Sequence, residues 1–125
     1  MSNQNTQPEN YLFTLTAFGD DTDRVATPLV LANSALANGK DVLLWLTMAG
    51  VELAKKEAAN SLAPKSFAPV SDLLDTYINN GGRIGVCPPC AITHGVTDEN
   101  IIENAELMGA VTMLEESAGR QTFSF

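Results

Sequence analysis

Between Val86 and Gly95 the chain places both of its cysteines, its single histidine and two of its six prolines. Cys87-Pro88-Pro89-Cys90 has the spacing of redox C-x-x-C motifs, in which two sulfurs meet across one turn. By that pattern Cys87, at the start of a helical turn, is the lower-pKa nucleophile and Cys90 the resolving thiol. A thiolate there attacks disulfides and persulfides or binds a metal. Pro88 and Pro89 stiffen the turn but remove two backbone donors, which weakens the support for a thiolate. If a helix begins near Pro89, Cys90 and His94 lie at i and i+4 on one face. His94 then lowers a thiol pKa as an imidazolium, or joins the sulfurs as a ligand. Cys87, Cys90 and His94 are three soft ligands with spacing that suits zinc or copper. A fourth ligand is absent from the local sequence, so no cofactor is expected and the metal is the lesser option. The plainer alternative is two small buried hydrophobes beside a solvated histidine.

The elements around this segment must deliver it. Arg83-Ile84-Gly85-Val86 reads as a buried strand that ends on Cys87. Tyr11 to Thr16 reads as a first strand, broken at Gly19-Asp20-Asp21-Thr22-Asp23, where several side chains suit a helix N-cap. A helix is expected from about Arg24 to Asn38, apolar on more than one face, with Pro28 near its start and Asn38-Gly39 as its stop. Asp41 to Leu46 reads as a second strand, giving a βαβ unit with a parallel pair. A short helix over Gly50–Lys56, a loop over Asn60–Pro69 and an amphipathic helix over Val70–Asn79 lead to the cysteine strand. After Gly95 the expected order is a capped turn at Thr97–Asn100, a strand at Ala105–Met108, a helix at Gly109–Ser117 and a last strand at Gln121–Phe125. The pattern is a small three-layer α/β domain.

Composition bounds what this domain does. A chain of 125 residues with 45% hydrophobic side chains fits one core, here residues 11–125, behind a polar, flexible lead-in at residues 1–10. The formal charge of −8 argues against nonspecific nucleic-acid binding and against docking on anionic membranes. No run of residues is long and apolar enough to span a bilayer, and the N-terminus lacks the features of a signal peptide. Two cysteines in such a chain are expected to be reduced, in the cytoplasm. No Gly-x-Gly-x-x-Gly or Walker loop supports nucleotide binding. A thioredoxin would carry its C-x-x-C after the first strand, whereas here it follows the third.

The order and spacing of several short pieces resemble the DsrE/DsrF-like family, also called YchN-like, of small sulfur-handling and redox proteins. The pieces are Leu31-Ala32-Asn33-Ser34-Ala35-Leu36-Ala37 before Gly39-Lys40-Asp41-Val42, then Met48-Ala49-Gly50-Val51, Gly81-Gly82, Cys87 with Gly95-Val96-Thr97, and Ala105-Glu106-Leu107-Met108-Gly109-Ala110. The resemblance runs from about Leu12 to Phe125. The resemblance implies a three-layer sandwich with a mostly parallel five-stranded sheet. It implies that Cys87 stands where relay members carry persulfide sulfur, and that His94 stands where they often have a basic residue. Cys90 departs from the relay pattern and opens a dithiol reading. The resemblance further implies that the first and third strands are neighbours. Gly19, Asp20, Asp21 and Thr22 would then share a ligand pocket with Pro88 beside Cys87. Against this, the same acidic residues serve simply as a solvated helix cap, and their charge would raise a nearby thiol pKa.

Two functions follow. One is a cytoplasmic sulfur-relay or thiol-redox protein that carries sulfane sulfur on Cys87, resolved by Cys90, and exchanges it with a donor or acceptor protein or a small thiol. The other is a non-catalytic, small-molecule or metal-binding oligomeric module with a structural thiol pair. The resemblance carries the expectation of a homo-oligomer, a trimer or a hexamer of trimers. Tyr77, Ile78, Met108, Met113 and Leu114 add weak support, as more apolar positions than one small core needs.

Overall fold

The computed structural model describes residues 10–125. The expected flexible lead-in therefore lies outside the described residues, except Asn10, which opens the first strand. The chain runs β1 (Asn10–Leu15), α1 (Thr22–Ala37), β2 (Asp41–Leu46), 3-10 helices at Met48–Ala54 and Ala58–Ser61, α2 (Val70–Asn79), β3 (Arg83–Val86), α3 (Pro88–Thr93), β4 (Ala105–Leu107), α4 (Ala110–Glu116) and β5 (Gln121–Ser124). The five strands form one sheet in the order β4-β3-β2-β1-β5, and every pairing is parallel.

This order corrects the expected adjacency of the first and third strands: β2 lies between them, pairing Leu15 with Leu46 on one side and Leu46 with Val86 on the other. The reason is that α1 and α2 share the larger core on one face, and crossovers of the usual right hand that lie on one face step the chain in one direction, whereas α4 packs on the opposite face and the direction reverses after β4. The reversal falls between β1 and β5, so the acidic loop after β1 lies at that end of the sheet.

Alternation along the strands fills two unequal cores. Phe13, Leu15, Val42, Leu44, Leu46, Ile84 and Val86 pack with α1 and α2 in the larger one. Leu12, Leu43 and Met108 form the smaller one on the opposite face, joined by Trp45 and by Met113 of α4. The Trp45 indole N–H donates to the Met108 carbonyl at 3.2 Å, which ties the end of β4 across the sheet. α1 is less buried than its composition suggests: Val25, Ala26, Leu29, Ala32 and Ala35 face the core, but Leu31 is exposed. Its cap is Asp21, whose carboxylate accepts the Arg24 N–H at 3.2 Å.

The third strand is held from below by Tyr77. This side chain is fully buried, and its hydroxyl donates to the Arg83 carbonyl at 2.6 Å. Burial pushes the phenol far above its ordinary pKa, so it stays a donor. A Cβ on Gly82 would lie 2.4 Å from the Tyr77 ring, so any other residue there must displace that ring. Thus the Gly81-Gly82 pair fixes where β3 begins and hence where Cys87 emerges. Among the described residues no helix is long and apolar enough to cross a membrane.

Candidate functional site

Cys87 is the residue at which β3 becomes α3. Its N–H completes the ladder to the Leu46 carbonyl at 2.9 Å, and its own carbonyl accepts the Ala91 N–H at 2.9 Å. Pro88 and Pro89 fill the first two helical positions, where missing N–H groups leave no broken bond within the helix. α3 is only six residues long, with His94 as its C-cap, followed by Gly95 in the left-handed region at φ +75°. With so short a helix and two prolines at its head, the turn has little of its own to offer an anion.

The donors come instead from the end of β2. Thr47, the first residue beyond that strand, places its Oγ1 3.5 Å from Cys90 Sγ. The neighbouring Met48 takes a left-handed conformation, φ 53°, unusual for a residue with a side chain. The Cys90 thiol is drawn below its ordinary pKa, chiefly by the Thr47 hydroxyl and further by the Met48 backbone N–H and the Cys87 side chain, against the opposing effect of burial. The donors therefore converge on Cys90, not on Cys87, where the C-x-x-C pattern alone would place them. Both cysteines are free thiols, each partly exposed.

His94 is turned toward another group. Its Nδ1 lies 3.3 Å from Glu52 Oε2, and the other Glu52 oxygen lies 3.6 Å from Lys55 Nζ. Glu52 belongs to the 3-10 helix that follows Thr47, so this carboxylate ties the end of α3 to the loop after β2. Among the described residues no three His, Cys, Asp or Glu side chains come together as metal ligands.

The acidic loop is elsewhere. Gly19 is a left-handed turn residue with φ +76°, Asp20 is exposed, Asp21 caps α1, and Thr22 is the first residue of that helix. Asp21 lines an open cleft of about 330 Å³ with Arg24, Ser124 and Phe125, at the β1–β5 end. Pro88 lines a different cleft, about 350 Å³, with Ala91, Ile92, Val96 and Leu107 at the β3–β4 end. The structure thus brings Cys87, Pro88 and Cys90 together on α3, with His94 at its end, and leaves Gly19, Asp20, Asp21 and Thr22 on the far side of β2.

Thr47, Met48, Glu52 and Lys55 were not among the site residues that the sequence pointed to. The signal that could have found them is positional. In a parallel sheet the loop after every strand reaches the same carboxyl edge, so the residues just after Leu46 were candidates as much as those after Val86.

A five-stranded, all-parallel α/β sandwich with a thiol pair at its carboxyl edge defines the class of protein. Within that class, the chain belongs to the DsrE/DsrF-like family, matched over residues 9–118, and this family is associated with sulfur relay. It is 33% identical over 104 residues to the uncharacterized protein MJ0989 of Methanocaldococcus jannaschii, spanning 81% of this chain and 88% of that one. It is also 33% identical over 85 residues to the uncharacterized protein MK0008 of Methanopyrus kandleri, spanning 68% and 67%. Its fold is similar to that of the YchN protein from E. coli, with a TM-score of 0.73 over 95% of this chain and 100% of that one. The identity there is 14%, so the likeness is one of fold.

Proposed function

We propose that this protein is a cytoplasmic sulfur-relay protein that carries sulfane sulfur as a persulfide on Cys87, next to Cys90 as a resolving thiol. The observation that supports this best is the placement of Cys87 and Cys90 within one turn at the head of α3, at the carboxyl edge of the sheet, with both thiols free and partly exposed. In the loading step, the Cys87 thiolate attacks the outer sulfur of a donor persulfide. A bond forms from Cys87 Sγ to the sulfane sulfur, the donor's sulfur–sulfur bond breaks, and the donor leaves as a thiolate. An acceptor thiolate then attacks the sulfane sulfur and returns Cys87 to its starting state. No net oxidant is consumed. Donor and acceptor are a partner protein or a small thiol.

The working unit in this proposal is a homo-oligomer, a trimer or a hexamer built from trimers. Tyr77 and Met108 are consumed by the chain's own cores. Val111 and Leu114 on α4 remain 72% and 64% exposed, although Met113 of the same helix packs on the sheet. A short helix that leaves two large aliphatic side chains in water suits burial against another copy. Such a contact would also shelter a persulfide from stray thiols.

The loading step is tested by treating reduced Cys90→Ser protein, in which no second thiol can displace the sulfur, with inorganic polysulfide and mapping sulfur adducts. A gain of about 32 Da on the Cys87 peptide is expected. Loss of sulfur transfer to a small acceptor thiol in Cys87→Ser is also expected, whereas transfer at the wild-type rate in that variant would refute the assignment.

A further inference from the structure

We infer that Thr47 is a positioning residue that holds Cys90 as an attacking thiolate, so that sulfur loaded on Cys87 is discharged inside the protein as hydrosulfide unless an acceptor takes it first. The inference rests on the persulfide reading of Cys87 and adds to it the fate of the sulfur. It also reverses the usual order within a C-x-x-C pair, in which the first cysteine is the resident thiolate.

The geometry is set by β2. Thr47 is locked at the strand end, its N–H donating to the Leu15 carbonyl at 3.0 Å and its carbonyl accepting the Gly50 N–H at 2.9 Å. A Cβ on Gly50 would lie 2.2 Å from the Leu15 carbonyl oxygen, so this turn sits directly on the end of β1 and has no room to drift. The clamp fixes the Thr47 hydroxyl 3.5 Å from Cys90 Sγ, at a turn that continues into the left-handed Met48. Other ionisable groups on the packed segments are already engaged, since Glu52 is held between His94 and Lys55.

The chemistry closes on the two sulfurs and one proton. When Cys90 takes the Cys87 proton, Cys87 is the thiolate that accepts sulfane sulfur from the donor. The departing donor thiolate removes that proton and leaves Cys90 ionised. Cys90 Sγ then attacks Cys87 Sγ. The bond between Cys87 and its sulfane sulfur breaks, the sulfane sulfur leaves as HS⁻ with the electron pair, and a Cys87–Cys90 disulfide forms. The sulfane sulfur is reduced and the two thiols are oxidised together. A dithiol reductant supplies the two electrons and two protons that reopen the disulfide.

The test uses the full chain, reduced, loaded with inorganic polysulfide and freed of excess. Hydrosulfide release and intact mass are followed in wild type, Cys90→Ser, Thr47→Val and Thr47→Ser. Wild type is expected to release hydrosulfide in step with loss of free thiols, while Cys90→Ser keeps the Cys87 adduct. Thr47→Val should slow release by about tenfold, the size of one lost hydrogen bond to a charged group. Thr47→Ser, which restores the hydroxyl, should recover most of the rate; a merely structural role for Thr47 would not be rescued in this way. An adduct equally long-lived in wild type and Cys90→Ser, or release from Thr47→Val at the wild-type rate, overturns the inference and leaves the carrier reading standing. Absence of any Cys87 adduct in all four proteins overturns both.

Discussion

Cys90 Sγ lies 3.5 Å from the Thr47 hydroxyl, which with the Met48 backbone draws its pKa down, whereas Cys87 is followed by two prolines that have no N–H to give. This difference has a pH signature. A thiol pKa that is drawn down makes the thiolate appear at lower pH than in an ordinary cysteine. In Cys87→Ala protein, where Cys90 is the remaining thiol, iodoacetamide labelling should rise with pH at a lower midpoint than in Cys87→Ala/Thr47→Val. Coincident profiles for the two proteins would show that Thr47 does not stabilise the thiolate. The thiol pair itself was legible in the sequence, because two cysteines, a histidine and two prolines within ten positions are hard to mistake. Thr47 was not legible, because a threonine after a buried strand is ordinary until the fold brings it against a sulfur 43 residues away. His94 was expected to act on the thiols, whereas its Nδ1 meets Glu52, which lies on a separate segment that local spacing cannot reach.

At the scale of elements, the strand that carries Cys87 depends on Tyr77 and Gly82. Tyr77→Phe leaves the Arg83 carbonyl without its 2.6 Å partner in a buried setting, an expected loss of about 1–3 kcal/mol in urea unfolding. Gly82→Ala drives a methyl into the Tyr77 ring and should cost about 1–3 kcal/mol, by overpacking. Because both changes act on one contact, their combined loss should fall short of the sum. Additive losses would mean that the two residues work independently. Most of the strands and the longer helices were legible, as period-2 and helical apolar patterns with glycine stops; β2 and β3 have the bounds that the pattern gave. The order of strands was not. It depends on which crossover reverses direction, and that is decided by α4 covering the second face through Met113, a contact between distant parts of the chain. For the same reason, the acidic loop and Cys87 looked like neighbours in sequence logic and are separated by β2 in the sheet.

At the scale of the whole molecule, the exposed aliphatic face of α4 predicts self-association. Sedimentation equilibrium at micromolar concentration should give a mass of three or six chains of 13.3 kDa, and Leu114→Glu should shift it toward one. A wild-type mass of one chain, independent of concentration, would remove the oligomer and the shelter it offers the thiols. The family and the α/β sandwich were legible from short motifs in the right order, since those motifs are the glycines and small residues that the packing demands. Whether sulfur is carried rests on one atom, the Cys87 Sγ. The most direct measurement is peptide-resolved mass spectrometry of Cys90→Ser protein after exposure to inorganic polysulfide and removal of excess, the variant in which the adduct has no internal exit. The expected result is a gain of about 32 Da on the peptide containing Cys87, removed by a small acceptor thiol. An unmodified Cys87 under conditions where a free cysteine peptide is persulfidated would contradict the proposal that this protein carries sulfane sulfur.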